Sequence, residues 1–285
     1  MAINHHGSVQ ISDKEFKKLS QLIYKHSGIR LKDTKKGLVR SRLRSRLQEL
    51  ELNSFEEYID RVFKDQTGQE LSRLMEAIST NVTSFFREAD HFEFLRREVL
   101  PDIEKKFKQR HNTYCHFWSA ACSTGQEPYT LAITLQEAIN KISFYDVKVL
   151  GTDISEQAVR TARRGVYPPK AVDGVNDVIV RRYFDYFTTP AGERKIRVKP
   201  ALKKMTRFGI LNLNRSEAFP FSKKFDVIFC RNVLIYFDNP VVERLMKKFY
   251  RYLKPGGYLF VGHSESLTRV NHPFDYVKAT IYCKS

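Results

Sequence analysis

The stretch that most constrains the fold is His116–Tyr129, which reads HFWSAACSTGQEPY. Its apolar run, Phe117–Ala121, predicts a buried strand, and small residues with Gly125 lead into a helix that has Pro128 in its first turn. Small side chains let a ligand approach the backbone, and the first N–H groups of the helix point towards it. We therefore predict a ligand-binding turn at the edge of a parallel sheet.

The next predicted strand narrows the class of ligand. The apolar run Val147–Leu150 leads into Gly151-Thr152-Asp153, and an acidic residue at this place holds ribose hydroxyls in Rossmann-like folds. The first loop has a single glycine, and the chain has neither G-x-G-x-x-G after that strand nor G-x-x-x-x-G-K-[ST]. Such a loop would hold a pyrophosphate poorly. A nucleoside without a pyrophosphate, such as S-adenosylmethionine, fits better than a dinucleotide or a nucleoside triphosphate.

Strand and helix patterns alternate over the C-terminal two thirds of the chain. We predict strands at 117–121, 147–152, 225–230, 258–262 and within 274–283, and helices at 91–108, 127–139, 155–164 and 240–253. Lys254-Pro255-Gly256-Gly257 predicts a turn that ends the last helix. This alternation indicates an α/β fold in which helices cover both faces of a parallel sheet.

Two regions depart from the alternation. A helix near 175–183 and short strands at 186–187, 195–198 and 205–208 predict a small antiparallel β insertion, at about 184–208. Residues 12–79 carry only helical periods: Phe16, Leu19, Leu22 and Ile23 follow a cap at Ser12, and further helices are expected at about 35–50, 54–64 and 70–78. We predict an all-α domain at 1–79, a linker at 80–90 and an α/β domain at 91–285.

The second predicted helix is strongly basic. It carries Lys36, Arg40, Arg42, Arg44 and Arg46 with no acidic residue before Glu49, so its cations repel one another. This face is either solvated or a docking surface for something acidic. The net charge of +17 also implies an acidic partner, but charge alone does not choose among nucleic acid, anionic lipid and acidic protein.

Other features bear on the cellular compartment. The four cysteines, Cys115, Cys122, Cys230 and Cys283, form no C-x-x-C pair, which predicts free thiols and a reducing environment. No apolar run approaches the roughly 20 residues that cross a bilayer, and the N-terminus lacks the apolar core of a signal peptide. We expect a cytoplasmic protein without membrane insertion. The spacing of His and Cys predicts no metal site.

Further motifs lie in the linker and at the predicted strand ends. They read Asn81-x-Thr83-x-Phe85-Phe86-Arg87, Thr152-Asp153-Ile154, FCRNVLIYF over 229–237 and KPGGYLFVGHSES over 254–266. Taken in this order with the stretch WSAACSTGQEPY at 118–129, they resemble the CheR family, the methyltransferases of bacterial chemotaxis receptors. The resemblance covers nearly the whole chain, including the helical domain. The NxTxFFR and FCRNVxIYF segments are its most specific parts.

The resemblance implies a Rossmann-like class I methyltransferase sheet and a specific reaction. The methyl group of S-adenosylmethionine would be transferred to glutamate carboxylates on receptor helices, leaving S-adenosylhomocysteine. The implied cofactor contacts, with Asp153 on the ribose, are Asn81, Thr83, Arg87, Glu127, Asp153, Asn212, Leu213, Arg231 and Asn232. Arg87 and Tyr236 would lie nearest the reacting centre. The acidic receptor helices would dock on Lys36, Arg40, Arg42, Arg44 and Arg46.

Each key residue also has a plainer interpretation. Arg87 would then form a salt bridge between linker and sheet, and Tyr236 would be a packing aromatic. Asp153 would cap the next helix, although Ser155 is the better cap. His263, at a strand end, is expected to be a structural hydrogen-bonding residue rather than a base.

Two other functions remain open. The charge suggests a nucleic-acid methyltransferase, but Arg231-Asn232-Val233-Leu234 stands where such enzymes have N/D-P-P-Y/F, and we expect no nucleic-acid partner. A non-catalytic module that binds S-adenosylmethionine as a signal is the second. In the family, some members bind a C-terminal receptor peptide at the edge of the inserted sheet, through a glycine-containing hairpin. The hairpin here, at 187–194, is short with a single glycine, which argues against such a tether.

Overall fold

The computed structural model describes residues 9–79, 82–110, 114–138 and 146–285. Contacts divide the chain into two compact units: Met1–Thr80 with Tyr236–Asp238, and Asn81–Ile235 with Asn239–Ser285. Within the described ranges, no helix has the length and apolar character needed to span a bilayer. Secondary structure follows the predicted order, and the predicted fold class is confirmed.

The helical unit contains α1 (Asp13–Ser27), α2 (Lys36–Glu49), α3 (Phe55–Lys64) and α4 (Gln69–Ile78). The predicted start of α1 is confirmed, because Ser12 Oγ accepts the Glu15 N–H at 3.2 Å and Glu15 Oε2 accepts the Ser12 N–H at 2.7 Å. This capping box satisfies two N–H groups that a helix start otherwise leaves unpaired. The apolar stripes of the helices form one core, which includes Phe16, Leu19, Ile23, Val39, Leu43, Leu47, Phe55, Tyr58, Ile59 and Leu74.

The second unit is an α/β layer structure. Its helices are α5 (Ala89–Phe94), α6 (Leu100–Arg110), α7 (Gln126–Ala138), α8 (Glu156–Arg164), α9 (Asp177–Tyr183), α10 (Pro200–Met205) and α11 (Asn239–Tyr252). A π-helical turn, Leu95–Val99, joins α5 to α6. Its strands are β1 (Tyr114–Ala120), β2 (Asp146–Asp153), β3 (Val166–Tyr167), β4 (Phe184–Thr188), β5 (Arg194–Val198), β6 (Thr206–Ile210), β7 (Phe225–Cys230), β8 (Leu253–Val261), β9 (Asp275–Lys278) and β10 (Ile281–Cys283).

Seven strands form the main sheet in the order β6-β2-β1-β7-β8-β10-β9. The first five pair in parallel, and β10 is antiparallel to both β8 and β9. Because β1 has β2 on one side and β7 on the other, the chain reverses its direction of winding there. In open α/β sheets, ligands bind at the carboxyl ends of the strands beside such a reversal.

The inserted sheet is smaller than predicted. Its order is β3-β5-β4, whereas Thr206–Ile210, which was assigned to the insertion, pairs in parallel with β2 from Val149↔Thr206 to Asp153↔Ile210. The assignment of this strand was therefore wrong. Gly151 leaves room for the side chains that pack over β2 here, because a Cβ atom there would lie 2.8 Å from the ring of Phe208 and from Pro128 Cγ.

The start of β8 also differs from the prediction. Leu253 already pairs with Phe225, and the register then shifts so that Tyr258 pairs with Val227. The Pro255-Gly256-Gly257 segment is thus an irregularity inside β8. In this described segment, no separate turn lies between α11 and β8. The Gly256 N–H donates to the Lys284 carbonyl at 2.6 Å, which gives the segment a partner at the C-terminus.

Candidate active site

The carboxyl edge of the sheet has an unusual backbone. After β1, Ala121 and Ser123 have φ angles of +63° and +49°, and after β7 Asn232 has a φ of +59°. Non-glycine residues adopt this left-handed region at an energetic cost, and such residues cluster at functional sites. The turn at the end of β1 is held by hydrogen bonds from Cys122 N–H to the Thr152 carbonyl and from Ser123 N–H to Asp153 Oδ2, at 2.9 and 2.7 Å.

Asp153 lies buried at the end of β2, with 6% of its surface exposed. Its Oδ1 accepts the Ser155 N–H at 3.0 Å, and Ser155 Oγ in turn accepts the Ala158 N–H, so Ser155 rather than Asp153 caps α8. Burial raises the pKa of Asp153. A carboxylate has about four acceptor positions, so the oxygens that hold the turn still have capacity for a ligand hydroxyl.

Arg231 occupies the centre of the edge, with 1% of its side chain exposed. Its Nη1 donates to Glu127 Oε2 at 3.1 Å, and its Nη2 donates to Glu88 Oε2 at 2.9 Å. Ser119 Oγ donates to the other oxygen of Glu127 at 2.7 Å. Burial raises the pKa of Glu127, and the charge of Arg231 opposes that rise. A buried ion needs such partners, because an unpaired charge in the interior is very costly.

Glu88 was not singled out by the sequence, yet it connects the linker to two strand ends. Its Oε1 accepts from Asn232 Nδ2 at 2.9 Å, and its Oε2 accepts from the His263 N–H at 3.2 Å. Burial acts to raise the pKa of Glu88, but the bond from Asn232 and the charge of Arg231 lower it to about 2. Arg231 Nη2 also donates to the Arg87 carbonyl. The ionised Glu88 thus fixes the backbone of the linker at the ends of β7 and β8.

Glu265 is a second acidic residue whose role the sequence does not reveal, although it lies in the motif at 254–266. It is buried, with 4% exposed, and its carboxylate accepts four backbone N–H groups. They belong to Asn232, Leu234, Ile235 and Gly262, at 2.9, 2.6, 3.4 and 2.5 Å. Burial raises the pKa of Glu265. Glu265 therefore determines the path of the chain after β7.

The linker packs into the second unit through its aromatic residues. Phe85 is buried and contacts the rings of Tyr167 and Phe184 edge-on, at centroid distances of 5.5 and 5.1 Å. Thr83 is half-buried, and Asn81 lies outside the described residues. Arg87 Nη1 donates to the Val82 carbonyl at 3.0 Å. No carboxylate of the described residues lies within salt-bridge distance of Arg87, so the salt-bridge interpretation finds no support there.

The remaining predicted residues lie in two places. Asn212 and Leu213 follow β6, and the Leu211 N–H donates to the Asp153 carbonyl at 2.9 Å, so this segment adjoins Asp153. Tyr236 is half-buried and belongs to the helical unit, where its carbonyl accepts the Arg30 N–H at 2.8 Å. Glu127, Asp153, Arg231, Asn232, the Arg87 backbone and 212–213 meet at one sheet edge, whereas Tyr236 groups with the other unit.

The basic helix α2 is better compensated than predicted. Lys36 Nζ lies 2.6 Å from Asp13, and Arg46 Nε and Nη2 reach Glu70 at 2.8 and 2.5 Å. The expectation that acidic partners are absent before Glu49 was wrong, because folding brings these acids from α1 and α4. Arg42 Nη1 donates to the Ile78 and Ser79 carbonyls, and Arg40 Nη1 donates to Gln10 Oε1. Arg44 is exposed, and in the described ranges no acid pairs with it.

One further cluster has the donor atoms of a metal site. Glu88, His91 and His263 bring ligand atoms within 4.8 Å of one another. A cation there would face the guanidinium of Arg231, which already donates to Glu88, so the arrangement disfavours a metal. His263 Nε2 lies 3.0 Å from Asp90 Oδ1, as expected of a structural hydrogen-bonding residue. Burial and the charge of Arg231 lower the pKa of His91 to about 4.

Comparison with known proteins identifies this arrangement. The SAM-binding domain model of the CheR methyltransferases matches residues 81–283, and the all-alpha domain model of the same family matches residues 14–79. The chain belongs to the CheR methyltransferase family. It is therefore an S-adenosylmethionine-dependent methyltransferase, and the predicted family and cofactor are confirmed.

Curated CheR relatives match over nearly their full length. The chemotaxis protein methyltransferase of Borreliella burgdorferi is 41% identical over 98% of this chain and 96% of its own length. A probable chemotaxis protein methyltransferase of Rhizobium etli is 38% identical over 92% and 96%. The enzyme of Salmonella typhimurium is 37% identical over 96% and 91%.

The residues at the sheet edge fit the cofactor of the CheR family. S-adenosylmethionine has ribose hydroxyls, an amino group and a positively charged sulfur, all of which favour carboxylate neighbours. Asp153 is buried and Glu127 is half-buried at this edge, and the backbone between β1 and α7 carries only small side chains at Ala121, Cys122 and Ser123. The edge lacks the glycine-rich loop that a pyrophosphate would require.

Proposed function

We propose that this CheR protein transfers the methyl group of S-adenosylmethionine to glutamate side-chain carboxylates of chemotaxis receptors, forming methyl esters. The proposal rests on the difference in acidic partners between the two arginines at the sheet edge. Arg231 is buried between the carboxylates of Glu88 and Glu127, whereas no acid of the described residues pairs with Arg87. An arginine that has no acidic partner among the described residues and lies beside the cofactor edge suits a carboxylate substrate.

The proposed reaction requires no general base from the protein. A glutamate side chain has an ordinary pKa near 4.3 and is ionised at neutral pH. The bound cofactor supplies a methyl group on a positively charged sulfur. The carboxylate oxygen forms the new C–O bond as the C–S bond breaks, and no proton moves. The protein then contributes by aligning the reactants, which is worth up to roughly 7–11 kcal/mol in well-aligned cases.

The predicted residues take positioning roles in this proposal. Asp153 would accept a ribose hydroxyl and Glu127 would bind another polar group of the cofactor. The Arg87 guanidinium would hold the substrate carboxylate, and the Tyr236 hydroxyl would fix its angle. The surrounding contacts are proposed to come from Asn81, Thr83, Asn212, Leu213, Arg231 and Asn232. Because opposite charges neutralise each other during transfer, a site that excludes water favours the reaction.

Receptor docking on α2 is proposed in a narrower form than the sequence suggested. Arg42 and Arg46 hold backbone and carboxylate groups inside the helical unit, so their primary role is structural. Arg40 and Arg44 are exposed on α2, and in the described ranges Arg40 donates to a neutral side chain, that of Gln10. We propose that these two residues contact acidic receptor helices.

Replacement of Arg87 tests the proposed catalytic site. In Arg87→Ala, we expect kcat/KM for a receptor fragment to fall by about tenfold to a hundredfold, which corresponds to one lost hydrogen bond to a charged group. Arg87→Lys should recover part of the loss, because it restores the charge without the planar fork. The control is Arg96→Ala, which removes an exposed arginine paired with Glu93. Near-normal methylation by folded Arg87→Ala would return Arg87 to a structural role.

A further inference from the structure

The positive charge of this chain is concentrated away from α2. Between positions 156 and 207 there are thirteen Lys and Arg against five Asp and Glu, so this segment carries eight of the seventeen net charges. Positions 9–79 have fifteen against eleven, a net charge of four. The segment from α8 to β6 is thus the most strongly basic part of the second unit, and its cations have no role in the methyl transfer described above.

Several of these cations surround one cavity of about 590 Å³ between the inserted sheet, α10 and the start of β6. Four of its lining residues are cationic: Arg197, Lys203, Lys204 and Arg207. No carboxylate in the described ranges lies within salt-bridge distance of any of them. A concave surface with one sign of charge focuses the electrostatic field and attracts counter-charged ligands.

Three of the four cations are held in place by groups that leave their charge intact. Lys203 Nζ donates to the Arg164 carbonyl, and Arg207 Nη1 donates to the Thr206 carbonyl at 2.9 Å. The guanidinium of Arg197 lies 5.1 Å from the ring centre of Phe187. Carbonyl oxygens and an aromatic ring orient a cation without neutralising it. The site is therefore positioned for an anion before any anion binds.

The charge in the cavity is unbalanced rather than shared with a neighbouring acid. Burial and the nearby charge of Arg197 lower the pKa of Lys203, which shows that it lies in a positive environment. Asp185 is the one acid of the lining, and its Oδ1 lies 3.7 Å from Lys199 Nζ, outside the set of four. Asp185 stands opposite Arg197 in the β4–β5 pairing, so four cations of the lining face a single carboxylate.

We propose that this cavity binds a small phosphate-bearing anion of about nucleotide size. Its volume falls within the roughly 300–1,000 Å³ typical of small-molecule sites. Arginine forks and lysine point charges together suit clustered phosphate oxygens. Val198 and Pro200 supply apolar wall, and Asp185 can accept a hydroxyl. The site differs from the cofactor edge, because Arg207 is near the amino end of β6 whereas the cofactor edge lies at carboxyl ends.

The proposal is tested by titrating the full-length protein with inorganic tripolyphosphate in a calorimeter, at low salt and at about 0.15 M salt. Lys204→Glu should weaken binding by about tenfold or more, because it places a like charge beside the phosphate oxygens. The matched control is Lys247→Glu, which makes the same change of charge on exposed α11. It should weaken binding by less than about twofold. Both variants should retain the affinity for S-adenosylhomocysteine, which shows that they are folded.

Three results would overturn the proposal. Equal losses in Lys204→Glu and Lys247→Glu would mean that tripolyphosphate responds only to net charge. Absence of binding at the higher salt would mean that the cavity attracts ions without holding them. Tighter binding of an acidic peptide of equal charge, lost in Lys204→Glu, would make the cavity a peptide-docking surface. None of these outcomes depends on whether receptor glutamate is the methyl acceptor.

Discussion

Replacement of Glu265 by glutamine is the sharpest test of how the edge after β7 is held. Each carboxylate oxygen accepts two backbone N–H groups: Oε2 those of Asn232 and Gly262, and Oε1 those of Leu234 and Ile235. Glutamine has nearly the same shape, but its NH₂ group would face two N–H donors that now donate to a carboxylate oxygen. The two donors would then be buried without partners.

The magnitude follows from these contacts. A hydrogen bond to a charged group contributes about 1.5–3 kcal/mol, so two unmet donors would cost roughly 3–6 kcal/mol. Burial raises the pKa of Glu265, which means that its charge is costly to bury, so removing that charge offsets part of the loss. We expect the free energy of unfolding of Glu265→Gln to fall by roughly 3 kcal/mol. We also expect a higher Kd for S-adenosylhomocysteine, because the loosened segment includes Asn232.

Urea unfolding and calorimetric titration measure these two effects. Glu217→Gln is the control, because Glu217 is 73% exposed and pairs with Arg215 at the surface. Its effect should stay below about 1 kcal/mol. If Glu265→Gln and the control differ by less than about 1 kcal/mol, the four hydrogen bonds do not hold the segment and the reasoning is refuted.

Four further outcomes follow from other parts of the chain. His91, whose pKa burial lowers from 6.5 to about 4, resists protonation when folded, so the free energy of unfolding should fall by about 3 kcal/mol as pH drops from 6.5 to 4. Urea titrations across this pH range should show a smaller fall in the free energy of unfolding for His91→Asn than for the unsubstituted protein. His272→Asn should show the same fall as the unsubstituted protein. Arg46→Ala should destabilise the chain by roughly 3 kcal/mol in urea, since it leaves a buried carboxylate unpaired. Arg44→Glu should unfold like the unsubstituted protein yet raise the receptor KM, and an unchanged KM would remove the docking proposal. Gly151→Ala should cost about 1–3 kcal/mol, because its Cβ would lie 2.8 Å from neighbouring side chains, and a neutral result would contradict that close approach.

The elements that the sequence predicts correctly are those whose signal is local, such as a buried apolar strand or a helix cap. The strand at Tyr114–Ala120 is buried over its last six residues, so its apolar run is visible without knowledge of its partners. Ser12 and Ser155 were predictable caps because a cap depends only on residues three positions away. The predicted turn at 121–125 rested likewise on small residues that allow an unusual backbone.

The missed features depend on residues that are distant in the sequence. The strand Thr206–Ile210 carries no mark that distinguishes an edge strand of the main sheet from one of the insertion, and only its pairing with β2 decides. Glu265 acts through backbone N–H groups, and Glu88 acts through the His263 N–H and through Arg231, which lies 143 residues from it. Glu70 reaches Arg46 across 24 positions. Charge compensation between helices therefore cannot be read from one helix alone.

The central claim is that the methyl acceptor is a receptor glutamate. The direct measurement is incubation of the full-length protein with S-adenosylmethionine labelled in its methyl group, with receptor cytoplasmic fragments in one reaction and RNA in another. We predict label on the receptor protein that base treatment releases, as expected of a glutamate methyl ester, and a rate of labelling that falls by about tenfold to a hundredfold in Arg87→Ala. Label in RNA, or base-stable label on the receptor, would contradict the account.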